Sequence, residues 1–142
     1  MVRWKMALFG TREWLDEFCR TLNADSEYRE AAREYEGDMI CVCLPEEGVC
    51  SELLVQYFNP FHGKIDEWTV LSDPEEREAA FTLTAGYGVW KKICRGELDM
   101  MKAVMTRKLK VQGKMAQLMK QIKPARALVK VMAGLPTTFH DE

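Results

Sequence analysis

Histidine is nearly absent from this 142-residue chain, which carries only His62 and His140. A Ser-His-Asp or Cys-His site would have to use His62, and His62 beside Gly63 at a strand junction reads as a turn residue. Long hydrophobic runs are missing as well: none approaches the ~20 residues that a bilayer span needs. The opening MVRWKMALFGTREW has too short an apolar stretch and no small-residue cleavage site for a secretory signal. There is no Gly-rich phosphate loop, because Gly86-Tyr-Gly88 is a bare GxG. The five cysteines are odd in number and irregular in spacing, which excludes a disulfide framework. They read as small buried hydrophobes of a protein in the reducing cytoplasm. Cys41 and Cys43 share one face of a strand and Cys50 approaches across a hairpin, yet the spacing matches no common zinc motif. Glu46-Glu47 and Glu75-Glu76 lie in turns as solvated charge. No catalytic residue, metal or cofactor is expected.

What is present is an ordinary globular composition, 47% hydrophobic and 30% charged. The length fits a single domain over residues 1–142, with 1–8 and 135–142 as flexible tails. A net charge of -2 hides an asymmetry. Residues 1–90 carry 8 Lys/Arg against 18 Asp/Glu, and residues 91–142 carry 12 against 4. The basic stretch 108–130 interleaves its lysines with Met, Leu, Ile and Val rather than stacking aromatics, so nucleic acid is not the expected partner.

Hydrophobic periodicity orders the elements as α-α-β-β-β-β-α-α-β-α. Thr11 caps a first helix with Trp14, Leu15, Phe18, Cys19 and Leu22 on one stripe. Asp25 or Ser26 caps a second, which Gly37 ends. Met39–Leu44, apolar on both faces, is a central strand. Strands follow around 53–58, 65–71 and 79–85. Short helices cover 86–95 and 99–105, and an edge strand guarded by lysines spans 108–112. A closing amphipathic helix starts near Lys114, and Pro124 kinks or breaks it. The residues after Gly134 read as irregular. This grouping predicts an α+β fold: a mainly antiparallel five-stranded sheet with helices packed on it.

Methionine is over-represented near the C-terminus. Six of nine (Met100, Met101, Met105, Met115, Met119, Met132) fall between residues 100 and 132. Such flexible, polarisable side chains suit either core gap-filling or an adaptable apolar cavity.

The stretch from Ala80 to Ile122 narrows these alternatives. AAFTLTA leads into a helix carrying Trp90-Lys-Lys. Then come Gly96-Glu-Leu-Asp99, a Met/Ala-rich helix, the strand Lys108-Leu-Lys-Val-Gln-Gly113 and the closing helix. Upstream stand Phe9-Gly-Thr-Arg-Glu-Trp14, Leu22-Asn23 and Tyr28 with Ala31-Ala32. Over about 9–133 the chain resembles the sterol carrier protein type-2-like lipid-binding family, in its stand-alone prokaryotic form. It departs at Met100, where many relatives have Pro, and at Thr106-Arg107, where many have Gly. The resemblance implies an apolar cavity between the sheet and the later helices, non-catalytic binding or transfer of a fatty acyl, isoprenoid or sterol-like lipid, and no enzymatic activity. Combined with periodicity it nominates Phe81, Leu83, Trp90, Ile93, Met101, Met105, Leu118, Met119, Ile122 and Met132 as the enclosure, the last helix as a movable wall and Pro124 as its hinge. The expected partners are an apolar lipid and, transiently, an anionic membrane surface touched by the basic C-terminal third. The chain could be a monomer or a homodimer. The competing reading is a dimerisation or accessory interaction module using the same groove.

Overall fold

The computed structural model describes residues 6–142. A two-residue strand β1 (Ala7–Leu8) leads into helices α1 (Arg12–Ala24) and α2 (Ser26–Ala31). Thr11 caps α1 by accepting from the Trp14 amide, and Asp25 caps α2 by accepting from the Tyr28 amide. The expected stripe Trp14, Leu15, Phe18, Cys19 and Leu22 is the buried face of α1. Asn23, at its end, fastens α1 to the sheet by accepting from the Ile65 amide (2.7 Å) and donating to the Ile65 carbonyl (2.8 Å).

Strands β2 (Met39–Leu44), β3 (Leu54–Phe61), β4 (Lys64–Leu71), β5 (Phe81–Gly86) and β6 (Lys110–Gln112) form one sheet in the order β4-β3-β2-β5-β6. Only the β2/β5 pair is parallel. The fold is therefore α+β with a mostly antiparallel sheet. His62 (φ 51°) and Gly63 (φ 83°) make the tight β3–β4 turn. A Cβ on Gly63 would stand 2.6 Å from the Arg29 carbonyl oxygen, so glycine is required there. Pro60, which reads as punctuation in sequence, lies inside β3. It sits past the last residue paired with β2 and beside a register shift against β4, where a missing N–H is tolerated.

Residues 72–80, after β4, cross the outer face of the sheet to reach β5. They cover Ile40, Val42, Val55 and Tyr57, with Leu71 and Ala79 packed against them. Arg77 lies 3.8 Å over the Tyr57 ring and pairs with Glu67 at 2.7 Å. Asp38 clasps this crossing, accepting from the Tyr57 hydroxyl (2.8 Å) and the Ala80 amide (2.7 Å). Hydrogen bonds to a charged group contribute about 1.5–3 kcal/mol each. The Ala80 bond is exposed and contributes less, so Asp38→Ala is expected to cost about 2–3 kcal/mol, a melting point some 6–10 °C lower by thermal unfolding.

Helices α3 (Tyr87–Cys94), α4 (Met100–Met105, capped by Asp99), α5 (Met115–Met119) and α6 (Ile122–Gly134) join α1 on the inner face. Two expectations are corrected, and the expected break of the closing helix is located. The second helix stops at Ala31, not Glu36, because Tyr35 turns into the core and Glu36 bridges to Phe61. The closing helix is broken at Lys120–Gln121, leaving Pro124 in the first turn of α6, where its missing N–H costs nothing. The segment after Gly134 is not irregular. Its strand β7 (Thr137–Thr138) pairs in parallel with β1, and Phe139 is buried against Phe9 and Tyr87. The Trp14 indole donates to Thr137 Oγ1 (2.9 Å), and the His140 amide donates to the Tyr87 hydroxyl (2.7 Å). Of the N-terminal residues expected as a tail, 1–5 lie outside the described residues.

Candidate functional site

The inner face of the sheet and the later helices enclose a slot with almost entirely apolar walls. Met39, Cys41, Phe58, Pro60 and Leu83 form its floor, and Trp90 and Met100 one side. Tyr28 and Tyr35 close the α2 side, and Leu118, Gln121, Pro124, Ala125, Leu128 and Met132 form the α5–α6 roof. Helical periodicity places Ala125, Leu128 and Met132 on one face of α6. Free space amounts to about 20 Å³, room for about one water molecule. A second void of about 20 Å³ lies beyond, lined by Phe9, Gly10, Trp14, Phe18, Cys43, Leu54 and Gln56. Both voids touch Cys41, Phe58, Trp90 and Met132, so these four side chains form the partition between them. Sites for small molecules run from roughly 300 to 1,000 Å³. At this volume the slot is too narrow for an acyl chain, and admitting one requires a wall to move.

The least anchored part of the roof is α5. α5 has five residues and buries only Leu118. Neither α5 nor α6 has a side-chain N-cap, and the two helices are interrupted between them. For α5, a single buried side chain and no side-chain N-cap mark low local stability, whereas α6 packs against α1, α2, α3 and α4.

Of the side chains nominated from sequence, Leu83, Trp90, Leu118 and Met132 face the slot. Phe81, Ile93 and Met101 are buried in the surrounding core, and Met119 is half-buried. Ile122 faces an outer groove instead, and Met105 points into solvent, 71% exposed. Of the C-terminal methionines, Met100 and Met132 line the slot. Apart from Leu83, the floor and α2-side residues were not nominated. Alternation in Met39–Leu44 and the inner stripe of the second helix were the signals that could have found them. Gln56 was visible as the one polar residue between Leu54 and Phe58 on an apolar strand face.

The outer groove runs between α2 and α6. Glu27 and Glu30 lie on one bank; Lys120, Lys123, Arg126 and Lys130 lie on the other. Lys130 pairs with Glu27 at 3.0 Å, and Arg126 Nε lies 3.7 Å from Asp99.

Burial governs the thiols. It pushes Cys41 up to about 12, and with lesser effects of Cys50 and Glu46 it pushes Cys43 up to about 12. Cys19 and Cys94 are raised by burial as well. Folded thiols that stay protonated where unfolded ones ionise (about 8.5) stabilise the fold below that value. Stability is expected to fall as pH rises from about 9 toward 12, measurable as a declining denaturation midpoint. Native Cys41 and Cys43 are expected to react with a disulfide reagent at pH 8 far more slowly than in denaturant.

Among the described residues no cluster of three or more His, Cys, Asp or Glu is arranged to hold a metal, and no helix is long and apolar enough to cross a membrane. The sequence model of the SCP-2 sterol transfer family matches residues 15–125. A crystal structure of sterol carrier protein 2 is similar to this chain with a TM-score of 0.81 and 27% identity, over 89% of this chain and 98% of that one. A solution structure of a conserved hypothetical protein from Thermus thermophilus, described as a candidate sterol carrier protein, has a TM-score of 0.81 and 26% identity, over 99% and 97%. The ligand-free sterol carrier protein 2 of Yarrowia lipolytica shares the fold at 16% identity and a TM-score of 0.51, over 95% and 98%. No curated protein matches in sequence.

Proposed function

The chain belongs to the SCP-2 sterol transfer family, and from that premise we propose that it acts as a single, non-catalytic domain that takes up an apolar lipid between its sheet and the α5–α6 roof and releases it again. The guest is a fatty acyl, isoprenoid or sterol-like molecule. The observation that carries this reading is the pair of apolar voids separated only by side chains, under a roof whose first helix, α5, is weakly anchored. Leu83, Trp90, Leu118 and Met132 are its enclosure, and the break before Pro124 is the hinge of α6.

The energetics favour reversible carriage. Burying a methylene contributes about 0.8 kcal/mol relative to water, so a ~16-carbon chain gains about 13 kcal/mol over water. A lipid in a bilayer has already left water, so transfer between bilayer and slot is nearly neutral. The cations on the outer bank of α6 dock the opening roof on an anionic membrane surface at roughly 1 kcal/mol each.

The test is extraction of the purified protein with organic solvent, followed by mass spectrometry. Stoichiometric lipid is expected. A lipid-free dimer with the α5–α6 face protected from exchange would instead identify a dimerisation or accessory module using the same groove.

A further inference from the structure

Two buried polar atoms lack a hydrogen-bond partner among the described residues: the Tyr35 hydroxyl and Gln56 Nε2. Each lies in a residue that lines a different void. Tyr35, 3% exposed, borders the slot under the roof, and Gln56, 6% exposed, borders the inner void. Unpaired buried polar groups are rare in native proteins, and each costs free energy that a partner would restore. Gln56 stands on β3 directly opposite Cys41 of β2 and two residues before Phe58. Those two side chains belong to the partition between the voids. A guest that pushes past the partition therefore brings its leading end to the Gln56 amide.

We propose that Gln56 is the specificity-determining residue of the slot and that it selects an uncharged lipid with an oxygen near its leading end: an ester, ketone or alcohol. The inference rests on the lipid-holding reading given above. An amide N–H needs an acceptor, and oxygen is the acceptor that lipids carry. A pure hydrocarbon leaves Gln56 unpaired. An ionised carboxylate fits no better, because no charged side chain lines the inner void to neutralise it. Tyr35 is the weaker candidate for this role. Asp38 lies close enough to act on its hydroxyl electrostatically, and the hydroxyl is packed near Gly37, at 3.4 Å from where a Cβ on that residue would stand.

Three fluorescent probes of one length test this, delivered from neutral vesicles at pH 7: 1-dodecylpyrene, 12-(1-pyrenyl)dodecanoic acid and its methyl ester. Wild-type protein is expected to bind the ester more tightly than either of the others. Gln56→Met keeps about the length of the side chain and removes its hydrogen-bonding groups. It is expected to weaken ester binding about tenfold while leaving dodecylpyrene within twofold. Its melting temperature is expected to hold or rise, since an unpaired group has been removed. A fall in melting temperature would show a structural partner for Gln56 and overturn the proposal. So would equal losses for ester and hydrocarbon, tightest binding of the acid, or loss of the ester preference in Tyr35→Phe with Gln56→Met unaffected. Failure of wild-type protein to bind any probe would overturn the lipid-holding reading itself. Binding of all three without preference would overturn the role of Gln56 alone.

Discussion

Trp90→Ala is expected to merge the two apolar voids and to lower stability by about 3–5 kcal/mol, the range for removing a buried large aromatic side chain. Trp90 is 2% exposed, lines both voids and donates its indole N–H to the Val42 carbonyl at 2.8 Å. Truncation removes the ring contacts and the indole hydrogen bond. Total stability for a domain of this size is about 5–15 kcal/mol. The variant therefore folds with little reserve, and guanidinium unfolding should show a large shift of the midpoint. Trp90→Phe, which keeps one ring and loses the hydrogen bond and part of the ring volume, should cost less, about 2–3 kcal/mol. The functional consequence runs the other way. With the partition thinned, an acyl probe needs less movement of the roof, so uptake from vesicles should be faster than in wild type under conditions where both are folded. Unchanged uptake together with the expected loss of about 3–5 kcal/mol would show that Trp90 is only a core residue.

Replacing Lys120, Lys123, Arg126 and Lys130 together by Gln is expected to weaken binding to vesicles rich in anionic lipid by roughly two to three orders of magnitude. Each cation near such a surface contributes roughly 1 kcal/mol, and every 1.4 kcal/mol is tenfold. These side chains line one bank of the groove between α2 and α6, on the far side of α6 from the slot. Their own ion pairs are exposed, as in Lys130–Glu27, so the fold should lose little. Wild-type binding should weaken as salt rises, because the Debye length shrinks. Vesicle affinity that is the same for the variant, or indifferent to salt, would remove the membrane from the mechanism.

Much of the fold was legible because the information was local. Thr11, Asp25 and Asp99 cap helices where short polar side chains precede an apolar stripe, and each accepts the amide its position requires. Met39–Leu44 reads as a central strand because both faces are apolar, and it lies between β3 and β5. The parallel pairing of β2 with β5 was not legible. Neighbouring strands with short connections suggest hairpins, and nothing in residues 72–80 announces that they cross the sheet. Asp38 and Arg77 hold that crossing through partners distant in sequence.

The site divides in the same way. Period and composition alone determined that the C-terminal third is an amphipathic, methionine-rich, basic wall, because a helical stripe is written every three or four residues. Whether a given methionine turns inward was decided by packing: Met132 meets Trp90 and the sheet, whereas Met105, at the end of a six-residue helix, meets water. The narrowness of the voids and the unpaired Gln56 amide also belong to the tertiary structure. Free volume and hydrogen-bond satisfaction depend on which distant side chains meet, and no local pattern encodes that.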